Sequence, residues 1–316
     1  MKQQKTRSSC KKSAPFATTQ PKRADEDGGV QHYQCLTCGK QWQNQRRPKK
    51  LAEKIWQEHI WQRQTVANLR ERYHRGKNWI RKTLDEAEIR ESAEAAPQPV
   101  VGIFDATKLG LDLLLVARAP ELGINLGWSW IESETKDNYA RLKLGIETRG
   151  FTFTAAVLDG RRGIPRVFEG IPIQICQFHQ LQIVRRKLTL RPETLAGQEL
   201  LSLTFTLAKT DEATFTRELE SWYAHYEQFL KEKTFTLGTK RWRYTHARVR
   251  SAYLSLKRNL PFLFTYQKYP ELNIPNTTNS LDGFWSRLKN LLAAHRGKSR
   301  ERVRKIVKEI LRKQTA

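Results

Sequence analysis

The spacing of apolar side chains changes twice along the 316 residues of the chain. Between residues 49 and 90 it follows helical periodicity, as with Leu51, Ile55 and Ile60. Beyond residue 99 it changes to short apolar runs separated by polar turns, which are typical of strands. From about residue 180 to 270 the helical spacing returns. The pattern predicts a helical N-terminal part, a sheet, and a helical insertion.

The N-terminal part contains a short helix, a break and a second helix. Thr65 can cap the first helix, and the break falls at residues 74–76, around Gly76. The second helix carries Ile80 and Leu84 on one face. Helix, glycine-containing turn, helix is the order of a helix-turn-helix motif, and an ordinary helical hairpin is the alternative.

The middle of the chain begins after a linker that contains Pro97 and Pro99. Three strands come first, then a helix, a strand, a short helix and a fifth strand. This order predicts an α/β fold in which a mixed sheet carries helices on its faces, with the first strand central. The predicted elements span residues 100–105, 111–117, 125–131, 137–149, 151–158, 163–168 and 171–176.

The remainder of the chain is predicted to be helical. Helices over 181–190, 192–209, 211–233 and 247–260 would form an all-α insertion within about 180–272. A further helix starts near Asn279, and residues 300–313 form a basic amphipathic helix. Trp242 stands among Lys240, Arg241 and Arg243, where it could stack on a splayed base or simply pack against the protein.

The net charge of the chain indicates which classes of partner it binds. The chain has 57 Lys and Arg against 32 Asp and Glu, a net charge of +25 and a pI near 10.1. The positive electrostatic field of so basic a chain favours binding to phosphate backbones or to anionic membranes. No apolar run reaches the ~18 residues of a spanning helix, and no secretory signal is evident, so we expect a cytoplasmic, nucleoid-associated protein without a membrane partner. A basic ribosome-associated factor is the alternative.

With this charge, the second helix of the N-terminal pair is expected to face double-stranded DNA. Its polar residues would reach the major groove and its phosphates, whereas the alternative is that they only face water. The predicted DNA-contacting residues are Lys77, Asn78, Arg81 and Lys82.

Three of the four cysteines stand in the N-terminal segment, as in a zinc site. Cys35 and Cys38 form a Cys-x-x-Cys-Gly knuckle, and Cys10 and His32 are the nearest further ligands. A second Cys-x-x-Cys is absent from the sequence. The segment therefore predicts either a Zn²⁺ site on these residues or a degenerate zinc ribbon that holds no metal.

Three acids fall at positions where a sheet enzyme places carboxylates. Asp105 ends an apolar strand, Asp159 ends the fourth strand, and Asp282 lies in the first turn of the helix that starts near Asn279. Three carboxylates around Mg²⁺ can activate an attacking oxygen and stabilise a leaving one. The alternatives are a turn at Asp159 and a capping partner of Asn279 at Asp282. Four nearby acids are expected to be solvated or structural: Asp112, Glu132, Glu134 and Asp137.

Four motifs resemble those of bacterial insertion-sequence transposases of the Mutator-like group, in the variant with an N-terminal zinc-binding segment. The closing motif reads NTTNSLDGFWSRLK over 276–289, including Asn279, and is followed by HRG at 295–297. Cys176 and His179 are similar to the group's Cys-x-x-His signature. The first and second acids lie in FDAT at 104–107 and LDG at 158–160.

The resemblance implies a DDE-type transposase with a ribonuclease H-like fold. Asp105, Asp159 and Asp282 would bind Mg²⁺ or Mn²⁺, cut the terminal inverted repeats and join them to target DNA within a homo-oligomeric synapse. The third acid of the wider family is commonly Glu, whereas this chain has Asp282. The expected domains are a zinc-binding segment over 1–48, a helix-turn-helix over 49–96 and a catalytic domain over 97–316.

Two other functions compete with this interpretation. One is a catalytically inactive DNA-binding protein derived from a transposase, which the incomplete zinc ribbon favours. The other is a different ribonuclease H-like enzyme, such as a junction resolvase or a hybrid nuclease. The long insertion between Asp159 and Asp282 and the predicted helix-turn-helix count against the latter.

Overall fold

The computed structural model describes residues 22–27, 30–34, 41–43, 48–89, 95–295 and 298–313. The chain divides into two compact units, residues 1–88 and residues 89–316. The predicted three-domain division stays a prediction. No helix in the described ranges combines the length and the apolarity needed to cross a bilayer.

The first unit contains a small sheet and three helices. Strands β1 (Lys22–Asp27), β2 (Val30–Gln34) and β3 (Gln41–Gln43) pair antiparallel in that order. Helices α1 (Pro48–Trp61), α2 (Val66–Tyr73) and α3 (Lys77–Glu86) follow. The predicted zinc ligands Cys10, Cys35 and Cys38 lie outside the described residues.

Helices α2 and α3 lie where the apolar spacing predicts them. Thr65 caps α2 by accepting a hydrogen bond from the Asn68 amide at 3.2 Å. His74 ends α2 in the left-handed region, with φ of 50°, and Gly76 begins α3. Leu69 and Ile80 are fully buried and belong to this unit's core. The use of these helices as a DNA-binding motif stays a prediction.

The second unit is built on a five-stranded mixed sheet. Its strands are β4 (Pro99–Leu109), β5 (Asp112–Ala119), β6 (Ile124–Ile131), β7 (Thr152–Leu158) and β8 (Ile173–Ile175). Their order is β6-β5-β4-β7-β8. The first three pair antiparallel, and β7 and β8 continue the sheet in parallel. The predicted mixed sheet with a central first strand is confirmed, and this order is compatible with a ribonuclease H-like fold.

Aromatic packing fixes the central strand. Phe104 on β4 packs against Phe153 and Phe168, with ring centroids 5.2 and 4.6 Å away. Gly102 makes room for these rings, because an added Cβ would stand 2.6 Å from Phe153. Helix α4 (Lys136–Glu147) connects β6 to β7 and covers the same core with the buried Tyr139. A 3₁₀ turn at Pro165–Phe168 precedes β8.

The insertion after β8 is not all-α, which corrects the predicted fold class. Its helices are α5 (Gln177–Leu188), α6 (Leu195–Phe205), α7 (Glu212–Lys231), α8 (Ala247–Asn259) and the short α9 (Thr265–Lys268). Between α7 and α8 the chain forms a hairpin of β9 (Lys233–Phe235) and β10 (Trp242–Tyr244). Alternating aromatic and polar residues around Gly238, at φ of +75°, favour a hairpin over continued helix.

Two further helices complete the second unit. Helix α10 (Asn279–Ala293) lies against β4, and α11 (Arg300–Arg312) follows it. Arg300 and Arg304 both hydrogen-bond the buried carboxylate of Asp112, at the start of β5. This contact anchors the basic helix α11 to the sheet and gives Asp112 a structural role. It also lowers the pKa of Asp112, because two guanidinium groups stabilise the charged form.

Candidate carboxylate site at the edge of the sheet

Asp105 lies inside β4 and not at its end, which corrects the sequence interpretation. The antiparallel pairing with β5 continues from Asp105, opposite Val116, to Leu109. The parallel pairing with β7 stops earlier, at Ile103 opposite Val157. Asp105 therefore lies just past the point where β7 leaves the sheet, and Asp159 follows immediately after β7. The two acids share one edge of the sheet, as the element order predicts.

Asp159 begins a tight turn. Its Oδ1 accepts a hydrogen bond from the Arg161 amide at 2.9 Å. Gly160 adopts φ of +80°, and an added Cβ would lie 2.9 Å from Ile175 Cγ2 and 3.0 Å from Asn259 Nδ2. Both the backbone conformation and the close approach require glycine here. The turn fixes the direction in which the Asp159 carboxylate leaves the sheet.

Helix α10 brings two side chains to the same edge. The indole Nε1 of Trp285 donates a hydrogen bond to Asp105 Oδ2 at 2.8 Å. One turn earlier, Asp282 Oδ2 accepts a hydrogen bond from the Thr278 hydroxyl at 3.2 Å. Asn279 is exposed at the start of the helix, and Thr278 occupies the N-cap position. The side-chain partner of Asp282 is therefore Thr278, and not Asn279 as in the alternative interpretation of this acid as a capping residue.

The Asp105 carboxyl is buried and has no cationic hydrogen-bond partner in the described residues. Burial raises its pKa to about 6, against the lowering effect of the Trp285 hydrogen bond and the nearby His179. Negative charge on Asp159 and Asp282 raises it further. Asp159 and Asp282 thus both lie within electrostatic range of Asp105.

The three acids do not form a closed cage. Among the residues that the structure describes, no three His, Cys, Asp or Glu side chains stand close enough together to hold one metal ion. Asp159 and Asp282 each already accept one hydrogen bond from a neighbour in their own turn. The site is therefore a cluster of separate carboxylates in this structure.

Cys176 and His179 lie beside the carboxylates and connect to one of them. Cys176 caps α5, and its Sγ accepts hydrogen bonds from the amides of His179 at 3.5 Å and Thr278 at 3.3 Å. The Thr278 hydroxyl lies 3.4 Å from His179 Nδ1 and also bonds Asp282. Interaction with Cys176, and the charges of Asp105 and Asp282, raise the pKa of His179 to about 9 in spite of burial. His179 thus carries positive charge next to the acids, while the same interaction lowers the pKa of the Cys176 thiol.

Glu134 also belongs to this edge, whereas its place in the sequence predicts a solvated or structural acid. It forms an ion pair with Arg161 at 2.7 Å and accepts a hydrogen bond from the Tyr139 hydroxyl at 3.2 Å. Burial and the charge of Asp159 raise its pKa. The position of Glu134 in the sequence could have indicated this. Because β4 and β6 both pair antiparallel with β5, they run in the same direction, and residues just after β6 reach the same edge of the sheet as Asp105.

An arginine-lined cleft opens next to Asp159. Its volume is about 520 Å³, and Ile175 and Phe262 form part of its wall. None of its lining residues is acidic, and four are arginines: Arg161, Arg162, Arg166 and Arg258. Arg161 is engaged by Glu134, whereas the other three make no ion pair in the described part of the chain. The cleft is suited to phosphate groups.

The predicted DNA-contacting residues lie on α3 of the first unit. Lys77, Asn78 and Lys82 are exposed, whereas Arg81 is half-buried. Lys82 forms a weak ion pair with Glu86 at 3.7 Å, four residues later on the helix. The exposed residues are available to a partner, and their contact with DNA stays a prediction.

No protein-family model matches the chain, and no curated protein matches it. Among solved structures, it is similar to the catalytic core domain of BIV integrase, with 16% sequence identity and a TM-score of 0.22. The match covers 54% of this chain and 93% of that one. At this TM-score the similarity carries no argument about fold or function, and the description of the fold depends on the strand order alone.

Proposed function

We propose that the chain is a DDE-type DNA transposase of a Mutator-like insertion sequence. The observation that carries the proposal is the buried Asp105 carboxyl, which has no cationic hydrogen-bond partner among the described residues and lies within electrostatic range of Asp159 and Asp282. Burying an uncompensated carboxylate is costly, so a sheet that keeps one at its open edge has a use for it. The four motifs that resemble the transposase group fall on these residues and on the adjoining Cys176 and His179.

The residues fit a Mg²⁺ or Mn²⁺ site that is completed by substrate. Mg²⁺ is commonly held by one or two carboxylates together with waters and phosphate oxygens, so a cage of three protein ligands is not required. The raised pKa of Asp105 marks a carboxylate whose charge is not yet balanced. We propose that Asp105, Asp159 and Asp282 supply the carboxylates of this site, one or two to each ion; when bound, the metal would neutralise phosphate charge and acidify a water.

The chain's own residues would position the substrate around this centre. Trp285 holds Asp105 in one orientation, and Thr278 does the same for Asp282. The arginine cleft beside Asp159 would bind backbone phosphates of a DNA strand that enters the site. The positive charge at His179 offsets the repulsion among the acids before the metal and DNA bind.

We assign recognition of the element ends to the first unit, through Lys77, Asn78, Arg81 and Lys82 on α3. Two ends must be brought together for transposition, so we propose a homo-oligomer in the synapse. Net charge of +25 supports DNA as the partner of the whole chain. The N-terminal cysteines would add a Zn²⁺ site to this DNA-binding part.

A test uses the gene with its native flanking DNA in a heterologous host. Excised junctions or circles are sought by PCR, for wild type, Asp105→Asn and the control Asp137→Asn, which changes an exposed acid of α4. We expect junctions from the wild type and the control only. Junctions from Asp105→Asn at the wild-type level would refute the assignment.

A catalytically inactive DNA-binding protein is the second possibility. It is favoured by the lack of a three-ligand metal group among the described residues. This alternative predicts that purified protein binds the flanking DNA tightly while no junction forms with any variant. The same pair of measurements therefore separates the two functions.

A further inference from the structure

The β9–β10 hairpin segregates its aromatic side chains onto one face. Trp242 pairs with Phe235 and Tyr244 pairs with Lys233 across the two strands. Residues directly opposite each other, and those two positions along, share a face of a sheet. We call the side formed by Lys233, Phe235, Trp242 and Tyr244 the aromatic face. The opposite side carries Thr234 and Arg243.

The aromatic face is open to solvent. Phe235 is 66% exposed and Trp242 is 46% exposed, and Leu237 at the tip is 100% exposed. No third strand joins the hairpin in the described part of the chain. Two large rings and an apolar tip on a two-stranded hairpin are costly to leave in water, and such groups mark interaction sites.

The contacts among the rings leave Trp242 and Phe235 available for stacking. Trp242 meets Tyr244 edge to face, with centroids 5.2 Å apart, and Lys233 Nζ lies 4.1 Å from the Trp242 ring centre. Tyr244 is in turn covered by the Arg250 guanidinium at 4.1 Å. The base of the hairpin is therefore anchored on α8, whereas Trp242 and Phe235 project beyond it.

The surroundings of the hairpin are strongly basic. Residues 231–250 contain seven Lys and Arg and a single acid, Glu232, which is occupied by His246 at 2.7 Å. A cleft of about 410 Å³ lies at the foot of the hairpin. Its lining contains one acid, Glu193, and these basic residues: Lys187, Arg191, Arg243, His246 and Arg248. This charge selects a polyanion and opposes docking of a second copy of the same basic surface.

We infer that the hairpin binds unpaired DNA bases. Trp242 and Phe235 would stack on successive unstacked bases, and the basic cleft would hold the backbone that leads to them. The exposed Leu237 would enter the gap that the displaced bases leave. The inference rests on the proposed function only in taking DNA as the partner, because the carboxylates play no part in it.

The test compares the affinity of the full chain for two DNA molecules, measured by fluorescence anisotropy in EDTA. One is a short paired duplex, and the other is the same duplex with a central run of unpaired thymines. We expect the wild type to bind the unpaired form more tightly and Trp242→Ala to weaken that form by about tenfold. Trp242→Phe should keep most of the preference, and the paired duplex should change less than twofold.

Two control variants separate stacking from charge and from surface apolarity. Lys240→Ala should weaken both DNA forms alike, since a phosphate contact does not sense pairing. Phe205→Ala removes an aromatic ring that is 50% exposed on α6, and should change neither. Circular dichroism and the sedimentation coefficient of each variant report on folding and association.

Several outcomes would overturn the inference. One is a wild type without preference for unpaired DNA, and another is Trp242→Ala with the preference intact. A change of oligomeric state in Trp242→Ala with unchanged DNA affinities would assign the hairpin to a protein interface. If the wild type binds neither DNA, the proposed function fails together with the inference. If Asp105→Asn loses DNA cleavage but still prefers unpaired DNA, the result supports the assignment of the hairpin independently of the carboxylates.

Discussion

The replacement Asp105→Asn is predicted to stabilise the protein at alkaline pH. In the folded protein the pKa of Asp105 is raised to about 6 from an ordinary value of 3.8. When folding raises the pKa of a group, the group stabilises the folded state at pH values below its pKa in the unfolded chain. That stabilisation is lost as the pH rises through its pKa in the folded protein. A shift of about 6 − 3.8 ≈ 2.2 units, at 1.36 kcal/mol per unit, corresponds to about 3 kcal/mol.

Asparagine isolates this effect because it keeps the shape of the side chain and does not titrate. Its carbonyl oxygen can still accept the hydrogen bond that Trp285 donates to Asp105 Oδ2. The wild type and Asp105→Asn should therefore be about equally stable near pH 4. At pH 8 the variant should be more stable, by up to about 3 kcal/mol.

The assay is urea unfolding from pH 4 to 8, in EDTA so that divalent ions do not contribute. Taking the difference between variant and wild type cancels the titration of groups that both share. The matched control is Asp112→Asn, for which the sign is opposite. Hydrogen bonds from Arg300 and Arg304 lower the pKa of Asp112 from its ordinary value of 3.8, so Asp112→Asn should destabilise the protein by a constant amount from pH 4 to 8, because the group titrates only below that range.

A stability difference for Asp105→Asn that does not change with pH would refute this reasoning. So would a variant that is less stable than the wild type at pH 8. Either result would mean that the Asp105 carboxylate already has a compensating partner in the folded protein, and the electrostatic case for a metal at this position would be lost.

Three other predictions follow from the same geometry. Mg²⁺ or Mn²⁺ should raise the melting temperature of the wild type at pH 8 and should barely change that of Asp105→Asn. An equal rise in both proteins would mean that the ion binds elsewhere. Gly160→Ala should cost about 1–3 kcal/mol in thermal unfolding, because it forces a side chain into a positive-φ turn; unchanged stability would disprove the required turn. Replacing Arg166 and Arg258 by Ala should reduce the slope of log affinity against log salt for duplex DNA by about 0.9 per lost phosphate contact, and an unchanged slope would exclude the arginine cleft from binding.

The parts of the site that the sequence predicts correctly follow mainly from the order of its helices and strands. Three hairpin-linked strands followed by crossovers place β7 beside β4, and this brings Asp159 to the edge that carries Asp105. The last helix was expected to carry Asp282 across the sheet, and α10 does contact β4. These relations depend on local periodicity and on general rules of connection, both of which a single sequence displays.

The contacts that tune the site are long-range, and the sequence does not display them. Trp285 bonds Asp105 across 180 residues, and Thr278 bonds Cys176 across 102. Glu134 reaches the site only because β6 runs parallel to β4. The β9–β10 hairpin falls almost entirely between the helices predicted over 211–233 and 247–260, and its strands of three residues each are too short to show a strand periodicity.

The most direct test of the central claim is DNA cleavage by the purified full chain. A supercoiled plasmid that carries the element ends is incubated with Mg²⁺, and nicked and strand-transfer products are counted for the wild type, Asp105→Asn, Asp159→Asn and Asp282→Asn. Asp137→Asn serves as the matched control. We predict products from the wild type and the control and only background from the three carboxylate variants. Full cleavage by Asp105→Asn would contradict the account.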